Sequence, residues 1–451
     1  MLGRTVNVIG GGLAGSEAAW QLAERNCDVV LWEMRPAKST PAHTTGHLAE
    51  LICSNSLGSD LPDRAAGVLK AEMRRLGSLI LACADEARVP AGGALAVGRN
   101  EFAALVTKRI EAHPNISVRR EEARSVPDGP VIIASGPLTS ELLADSIGKI
   151  VGSEYLYFYD ALSPIVARDS INMQIAFSAS RYGRSADEDG GDYINCPFDV
   201  AQYQQFVSAL LAAERIELRT FEQEDPHFFE GCLPVEEIAR RGFEALSFGP
   251  LRPVGLTDPR TGRRPYAVAQ LRQDDAAGTL YNLVGFQTNL RWPEQQRVLR
   301  LIPGLENAEF ARLGQMHRNT FLNSPILLDA TMQLRDNPNI YFAGQITGIE
   351  GYVGNAASGL VAGVNMAKWL AGHEPIVFPE DTMIGALAAY VTRADSNHFQ
   401  PMKANFGLLP PLDNAIKGKR DRFKNYAARS AASLEVFAEQ SLSNPQFDSL
   451  E

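Results

Sequence analysis

The stretch VNVIGGGLAGSEAAWQLAERNCDVVLWEMR, residues 6–35, decides the fold. The β-branched run Thr5–Ile9 predicts a buried strand, and an Ala- and Leu-rich stretch from about Ser16 to Glu24 predicts a helix. A second apolar run, Val29–Trp32, predicts the next strand and ends at an acid. Strand, glycine-rich turn, helix, second strand and terminal acid therefore occur in the order of a dinucleotide-binding βαβ unit.

Three glycines of the turn each have a distinct structural role in such a unit. Gly10 allows the tight turn, Gly12 lets a pyrophosphate approach the backbone, and Gly15 lets the helix pack on the strand. The helix N-terminus offers unpaired N–H groups to the phosphates, and the terminal carboxylate can accept hydrogen bonds from a ribose. A glycine turn without a ligand is the alternative, but the complete order favours a nucleotide. The predicted contacts are Gly10, Gly11, Gly12, Leu13, Ala14, Gly15 and Glu33.

A second stretch, NIYFAGQITGIEGYVGNAASGLVAGVNMAKWL at residues 339–370, reads as a strand, a glycine-rich loop and a helix. It resembles the second FAD motif of the glutathione-reductase-like flavoproteins, and VIIASGP at 131–137 resembles a third element of that fold. The three motifs favour FAD over NAD. The small residues 356–363 predict that the helix packs closely on a flat partner. The resemblance adds Gly136, Gly344, Gln345, Gly351 and Gly354 to the predicted cofactor contacts.

The motif order predicts an α/β protein: a glutathione-reductase-like Rossmann FAD-binding domain with an inserted α+β domain. We expect a discontinuous FAD-binding domain (1–150 plus 335–375), an insertion or substrate domain (151–334) and a helical C-terminal segment packing on the FAD domain (376–451). Within the first domain, one helix is predicted near 66–84. No second complete GxGxxG unit and no Cys-x-x-Cys occur, which argues against a dedicated nicotinamide domain and a disulfide reductase.

The amino-acid composition further narrows the class of protein. The 451 residues are 45% hydrophobic and 21% charged, ordinary values for a soluble globular protein. We expect no transmembrane span and no signal peptide, because no long apolar run occurs and the N-terminus enters a strand almost at once. Five cysteines, an odd number, favour a reducing cytoplasm. We find no metal-ligand spacing and expect no metal.

The net charge of −10 argues against a surface that binds nucleic acid everywhere. One basic segment, KGKRDRFKNYAARS at 417–430, has six Lys or Arg residues against one Asp, with Phe423 and Tyr426 interleaved. A solvated helix face and a local RNA contact are both open interpretations. The RNA-binding candidates are Lys417, Lys419, Arg420, Arg422 and Lys424.

Six stretches carry a more specific resemblance. They are AELICSNSLGSD (49–60), PAGGALAVGR (90–99), FFEGCLPVEEIARRG (228–242), GFQTNLRWPEQQRV (285–298), GIEGYVGNAASGL (348–360) and FQPMKANFGLLPPL (399–412). Together, and nearly end to end, the chain resembles the folate- and FAD-dependent tRNA uracil-5-methyltransferases of bacteria. The resemblance implies that the methylene of 5,10-methylenetetrahydrofolate becomes the 5-methyl of a T-loop uridine in tRNA. Reduced FAD then supplies electrons and relays the carbon, and NADH or NADPH reduces the flavin. The implied partners are tRNA and folate, with no membrane and no stable protein partner.

That chemistry needs a reactive thiol and a second proton acceptor, because C5 of uracil becomes nucleophilic only after a thiolate adds to C6. Cys232 is the first candidate nucleophile, since Pro234 suits a first helical turn and a helix N-terminus favours a thiolate. Glu236 and Glu237 work against that effect. Cys53, followed by polar turn-forming residues, is the second candidate.

The roles of the remaining candidates are more open. Tyr352 is expected to stack on the flavin or the substrate, or only to close the loop. Cys83 and Cys27 are expected to pack in the core. Cys196 is expected in a loop, and its local sequence assigns it no role. Trp292 offers an apolar plate for a pterin or base, or is buried.

Rival readings of the whole chain also stay open. They are the same chemistry on ribosomal RNA, a tRNA wobble-uridine modifying flavoprotein, a small-molecule flavin oxidoreductase, and an FAD-binding protein without activity.

Overall fold

The computed structural model describes residues 5–40, 42–152, 156–161, 163–183, 192–216, 233–274, 278–314, 316–396, 399, 401–414 and 416–442. Its strands are β1 Thr5–Ile9, β2 Asp28–Trp32, β3 Ser56–Ser59, β4 Arg88–Val89, β5 Ala94–Val97, β6 Ile116–Arg119, β7 Val131–Ile133, β8 Leu156–Ala161, β9 Ile165–Ala167, β10 Phe177–Ser178, β11 Tyr193–Phe198, β12 Ala267–Gln273, β13 Leu280–Leu283, β14 Phe310–Arg312, β15 Met316–Phe321, β16 Gln333–Leu334 and β17 Asn337–Phe342.

The α-helices are α1 Leu13–Ala23, α2 Ala65–Arg75, α3 Leu79–Glu86, α4 Arg99–Ala112, α5 Glu141–Val151, α6 Val200–Ala212, α7 Val235–Arg240, α8 Ala245–Phe248, α9 Trp292–Leu299, α10 Ser324–Leu327, α11 Tyr352–Leu370, α12 Met383–Arg393 and α13 Lys419–Phe437. Short 3₁₀ turns lie at Arg168–Ser170, Arg181–Gly183, Gln345–Thr347 and Phe406–Leu408. Within the described ranges, no helix combines the length and apolar character needed to cross a bilayer.

The first sheet has six strands in the order β16-β17-β7-β1-β2-β6. All neighbouring pairs are parallel except β16 with β17. The crossing from β1 to β2 runs through α1, as in a doubly wound nucleotide-binding fold. The late strand β17 returns beside β7, which brings the second glycine-rich stretch to the first one.

The second sheet belongs to the middle of the chain and has the order β10-β11-β12-β13-β9-β14. Its neighbouring strands are antiparallel, and it has a separate apolar core drawn from residues between Val166 and Ala308. At the two ends of this segment, β8 pairs with β15 in an antiparallel ribbon. The predicted fold class, a Rossmann sheet interrupted by an α+β insertion, is confirmed. The exact domain boundaries stay a prediction.

One predicted helix is wrong in its extent. The expected continuous helix near 66–84 is broken into α2 and α3 by Gly77, whose φ is +73°. Ser78 then caps α3 by accepting a hydrogen bond from the N–H of Leu81. Residues of both helices belong to the same apolar core, so the apolar pattern of the sequence alone does not reveal the break.

The small residues of α11 pack against another helix. A Cβ on Gly359 would lie 2.2 Å from the carbonyl oxygen of Ala14, and one on Gly363 would lie 2.8 Å from that of Ala18. Both carbonyls belong to α1. The helix that follows the second glycine loop therefore sits at backbone distance from the first nucleotide-binding helix.

A buried carboxylate holds the C-terminal helices in place. Glu72 of α2 accepts hydrogen bonds from the N–H groups of Met383 (2.7 Å) and Ile384 (2.8 Å) at the start of α12, and from the hydroxyl of Ser430 in α13. Burial raises the pKa of Glu72 to about 7, although these donors favour its charged form. Three helices distant in sequence are thereby fixed to one side chain.

Candidate functional site

An open cavity lies at the carboxyl ends of the parallel strands. Residues that end or follow β1, β2, β7 and β17 line it, which is where ligands bind in open α/β sheets. The predicted residues that line it are Gly10, Gly11, Gly12, Leu13, Ala14, Glu33, Cys53, Gly136, Gly344, Gln345 and Tyr352.

The first glycine turn has the geometry that the sequence predicts. Gly10 has φ +104°, and a Cβ there would lie 2.5 Å from the carbonyl oxygen of Ala134. A Cβ on Gly15 would lie 1.8 Å from the carbonyl oxygen of Gly10, so this glycine serves helix–strand packing and does not line the cavity. Gly12 caps α1, and a Cβ there would meet nothing within 4 Å. The helix N-terminus is thus open to the cavity at Gly12.

Glu33 lies where a ribose-binding acid is expected, but protein donors already surround it. It accepts hydrogen bonds from the N–H of Gly11 (3.1 Å) and from the backbone N–H, Nε and Nη2 of Arg35. Burial alone would raise the pKa of Glu33, but Arg35 outweighs it and holds that pKa below its usual value. Arg35 also donates Nη1 to Glu50 at 2.9 Å. A ribose hydroxyl would have to share this carboxylate with Arg35.

The second glycine loop divides into cavity-lining and packing positions. Gly344 and Gln345 line the cavity, and Gly351 caps α11 with φ +84°. Gly354 does not line it, because a Cβ there would lie 2.9 Å from Ile349 Cγ2 and 3.3 Å from Leu387 Cδ2. Its role in this structure is to let α12 approach α11.

The cavity residues fit a dinucleotide of the FAD type. Gly12 leaves backbone space at a helix N-terminus, where a pyrophosphate binds. In the lining of the same cavity, the buried Oδ1 of Asn355 has no hydrogen-bond partner within the described part of the chain. An unpaired buried acceptor beside a cavity is suited to a donor on a ligand.

A thiol and a phenol meet at one end of this cavity. The Tyr352 hydroxyl lies 2.9 Å from Cys53 Sγ and accepts hydrogen bonds from the N–H groups of Cys53 (2.8 Å) and Ser54 (3.0 Å). These two donors occupy both acceptor positions of the hydroxyl oxygen. The phenolic hydrogen is therefore left to point at Cys53 Sγ, so the tyrosine donates and the sulfur accepts.

The protonated state of Tyr352 follows from its surroundings. Burial raises its pKa well above the usual value, and the neighbouring Cys53 adds to that rise. Tyr352 therefore keeps its proton at neutral pH and serves as a hydrogen-bond donor to the thiol. This role was not evident from the sequence, which indicated a stacking ring.

Cys232 lies outside the described residues. The helix expected after Cys232 is present as α7, with Pro234 as its N-cap. Glu236 is buried and accepts hydrogen bonds from the Thr288 hydroxyl and the Asn289 N–H. Glu237 pairs with Arg215 at 2.7 Å. Both acids that would oppose a thiolate at this helix start are thus engaged by other partners.

The other three cysteines are buried. Cys27 and Cys83 lie in the first core, as expected, and burial raises the pKa of Cys83 to about 11. Cys196 is not in a loop: it lies in β11 opposite Ala269, fully buried, and burial raises its pKa far above the usual value. Trp292 is 58% exposed, so the buried alternative is wrong.

The basic segment is exposed where its side chains are described. The exposed cations of this segment are Lys417, Arg420, Arg422 and Lys424. Lys419 is the first residue of α13, and only its backbone is described. Phe423 packs on Phe406 with ring centroids 4.6 Å apart, and Tyr426 stacks on Phe406 at 5.7 Å. The aromatics hold the helix to the 3₁₀ turn at Phe406 while the cations face outward.

Several site residues were not found by sequence reasoning. The sequence could have indicated Arg35, since it lies only two positions after Glu33 and can therefore reach that carboxylate. Asn355 lies in the second glycine-rich stretch and Arg99 ends one of the six family stretches, but neither residue was singled out there. Arg272, which contacts the residues next to Cys53, carried no signal, because it lies on a strand that only the tertiary fold brings to this segment.

The fold and the cavity define a protein of the glutathione-reductase-like class, with a Rossmann dinucleotide site shaped for FAD. The pattern of the family described as "Glucose inhibited division protein A" matches residues 5–374. A relative from Pelotomaculum thermopropionicum named methylenetetrahydrofolate--tRNA-(uracil-5-)-methyltransferase TrmFO is 57% identical over 440 residues, covering 97% of this chain and 99% of the relative. A protein of the same name from Bacillus subtilis is 56% identical over 435 residues, covering 96% and 99%.

The chain therefore belongs to the glucose inhibited division protein A family, and within it to the group of the TrmFO methyltransferases. Among solved structures, Aquifex aeolicus GidA (form II crystal) is similar with a TM-score of 0.69 at 16% identity, covering 98% of this chain and 75% of that chain. At that identity the likeness supports the fold alone.

Proposed function

We propose that this chain methylates C5 of a T-loop uridine in tRNA, with 5,10-methylenetetrahydrofolate as carbon donor. The near-full-length identity to proteins named for this reaction supports the specific substrates. The single structural observation that carries the chemistry is the thiol of Cys53, hydrogen-bonded to Tyr352 at the end of the FAD-shaped cavity. The odd cysteine count and a tRNA substrate favour the cytoplasm as its location.

The reaction on the base needs two groups of the protein. A thiolate adds to C6 of the uracil, and the electron pair moves through C5 to the C4 oxygen as an enolate. C5 then takes the one-carbon unit, a base removes the C5 proton, and the thiolate leaves as the double bond returns. We assign the addition to Cys232 and the proton transfer to Cys53.

The structure supports the second assignment through Tyr352. Its hydroxyl donates to Cys53 Sγ, so it holds the sulfur and favours the form able to accept a proton. FAD, when bound, supplies the electrons and relays the carbon, and NADH or NADPH restores its reduced state. The protein contributes the cavity that holds this cofactor against Cys53 and Tyr352.

The test is a transfer assay with unmodified tRNA, NADPH and methylenetetrahydrofolate labelled in the methylene carbon. We expect label in 5-methyluridine of the T loop, located by nuclease digestion and mass spectrometry. A parallel reaction with a ribosomal RNA fragment distinguishes methylation of tRNA from the same chemistry on ribosomal RNA. Label in that fragment alone, or NADPH oxidation with no labelled RNA at all, would contradict the proposal.

We further propose that the exposed basic segment at the start of α13 contacts the tRNA backbone. Replacing Lys419, Arg420 and Lys424 with Ala removes up to three phosphate contacts, and each contact contributes to the salt dependence of binding. We expect tRNA affinity to fall about tenfold or more at low salt, and the dependence of log Kd on log salt to become shallower, with the FAD content unchanged.

A matched control removes the same charge elsewhere. Lys149, Arg263 and Arg264 are exposed cations outside this segment. Their triple Ala variant carries the same change of −3 in net charge and should bind tRNA much more tightly than the first variant. Equal affinities for the two variants would count against a specific role of α13.

A further inference from the structure

The second sheet has one apolar face and one polar face. Val166, Leu271 and Leu283 belong to its core. Successive side chains of a strand point to opposite faces of a sheet. Arg272 of β12 and Asn282 of β13 each lie next to one of these core residues in the chain, so they point away from the core. The face opposite the core therefore carries polar groups.

Four residues of this face form one row across four strands. Arg272 pairs with Asn282, Asn282 with Ile165, and Ile165 with Arg312. Residues directly opposite each other in antiparallel strands share a face, with Cβ atoms about 4.5–5.5 Å apart. Phe310 packs on the core, and an irregularity in register between it and Arg312 turns Arg312 to the opposite face. We call the four paired residues the polar row.

The polar row begins beside the segment that carries the first thiol of the cavity. Arg272 Nε donates to Asn55 Oδ1 at 2.8 Å, and Arg272 Nη2 donates to the Ser54 hydroxyl. Both partners follow Cys53 directly in the chain. Asn55 Nδ2 donates in turn to a carbonyl of β12 at 2.5 Å. The row is thus fixed to the Cys53 segment at one end, and Asn282 is its next member.

Two members of the row have donors that the described protein does not use. Asn282 is 2% exposed, and its Nδ2 has no hydrogen-bond partner among the described residues. Arg312 Nε and Nη2 are also buried, and within the same ranges they too have none. Almost all buried polar groups in native proteins are paired, so such donors require an explanation. A ligand that brings acceptor oxygens to the row would supply their partners.

The proposed reaction needs hydrogen-bond donors at this place. C4 of uracil is bonded to C5, so a base whose C5 proton goes to Cys53 has its C4 oxygen beside the Cys53 segment. When a thiolate adds to C6, the electron pair of the C5–C6 double bond moves toward C4 and leaves a negative charge on that oxygen. Fixed donors in a site without water stabilise such a charge strongly. An arginine adds a permanent positive charge, because its guanidinium stays protonated in proteins.

We propose that the polar row binds the carbonyl edge of the target uracil. Asn282 and Arg312 donate to the carbonyl oxygens, and the charge of Arg312 stabilises the enolate at C4. Arg272 is a positioning residue, which holds the row against the segment of Cys53. The inference rests on the proposed function, because the uracil and its enolate come from that reaction.

The test measures how fast the FAD-loaded protein forms a covalent adduct with tRNA that contains 5-fluorouridine. Asn282→Leu and Arg312→Gln should each slow adduct formation about 10²-fold or more, the usual effect of removing one donor to a developing oxyanion. The FAD content should be unchanged, and the Kd for tRNA should change little, because phosphate contacts dominate that affinity. Arg312→Lys keeps the charge and should be slowed less than Arg312→Gln.

The melting temperature separates a ligand-binding role from a structural one. Asn282→Leu breaks no hydrogen bond of Nδ2 with the described protein, so its melting temperature should stay the same or rise. Asn195→Leu is the matched control. Asn195 Nδ2 donates to the carbonyls of Ala179 (2.9 Å) and Tyr193 (3.1 Å), and Asn195 Oδ1 accepts from Gln270. This control should melt at a lower temperature, while its folded form makes the adduct at nearly the wild-type rate.

Three results would overturn the inference. The first is an unchanged adduct rate in Asn282→Leu or Arg312→Gln, and the second is a loss of rate that occurs only with a loss of melting temperature. The third is weaker binding of methylenetetrahydrofolate with a normal adduct rate, which would assign the row to the folate. If Asn282→Leu does not fold, Asn282→Ala carries the same expectation. A wild-type protein that forms no adduct with this tRNA would instead contradict the proposed function itself.

Discussion

Replacing Gly12 with valine should abolish FAD binding while the protein stays folded. Gly12 caps α1, and a Cβ at this position meets no protein atom within 4 Å because it points into the cavity. The valine side chain would therefore occupy the space of the pyrophosphate instead of disturbing the core. We expect affinity to fall at least roughly 100-fold, or about 2.8 kcal/mol, and the purified protein to be colourless.

The measurement is flavin absorbance released on denaturation, per mole of protein, together with the melting temperature. Gly15→Ala is the matched control, since its Cβ would lie 1.8 Å from the carbonyl oxygen of Gly10. That variant should lose thermal stability as well as FAD, whereas Gly12→Val should lose FAD alone. A Gly12→Val protein that retains stoichiometric FAD would show that the cofactor does not use this helix N-terminus.

The second large effect concerns the two cysteines and is read by covalent trapping. In tRNA with 5-fluorouridine, fluorine at C5 cannot leave as a proton, so a base attacked at C6 stays bonded to the protein. Cys232→Ala should give no adduct and no methylation, because the only nucleophile is lost. Cys53→Ala should still form the adduct, while the rate of methylation falls about 10²–10⁴-fold, the usual contribution of a general base to the rate.

The reverse pattern would exchange the two roles. Adducts in both variants would mean that neither residue is the sole nucleophile. Cys27, Cys83 and Cys196 are poor substitutes in that case, because all three are buried in the folded protein. The FAD content must be measured in each variant, since lost flavin would imitate a lost nucleophile.

The sequence by itself determined the parts of this protein that depend on local order. The first glycine turn, the strands on either side of α1 and the late strand β17 follow from residue types at fixed spacing, because turn geometry and helix starts are local properties. The six family stretches likewise identified the family, and they drew attention to Cys53 and Tyr352 before their contact was known. Local pattern failed at Gly77, where a positive φ breaks a helix whose apolar periodicity continues.

Only the tertiary structure decided what surrounds the thiol. Tyr352 lies 299 positions from Cys53 along the chain, yet its hydroxyl contacts the sulfur. Arg272 comes from a sheet with its own core, yet it donates to Asn55 Oδ1 and to the Ser54 hydroxyl, next to Cys53 in the chain. The arrangement depends on the crossing of β17 beside β7 and on the placement of the inserted segment. Long-range packing sets both of these features, and the spacing of residues along the sequence does not predict either of them.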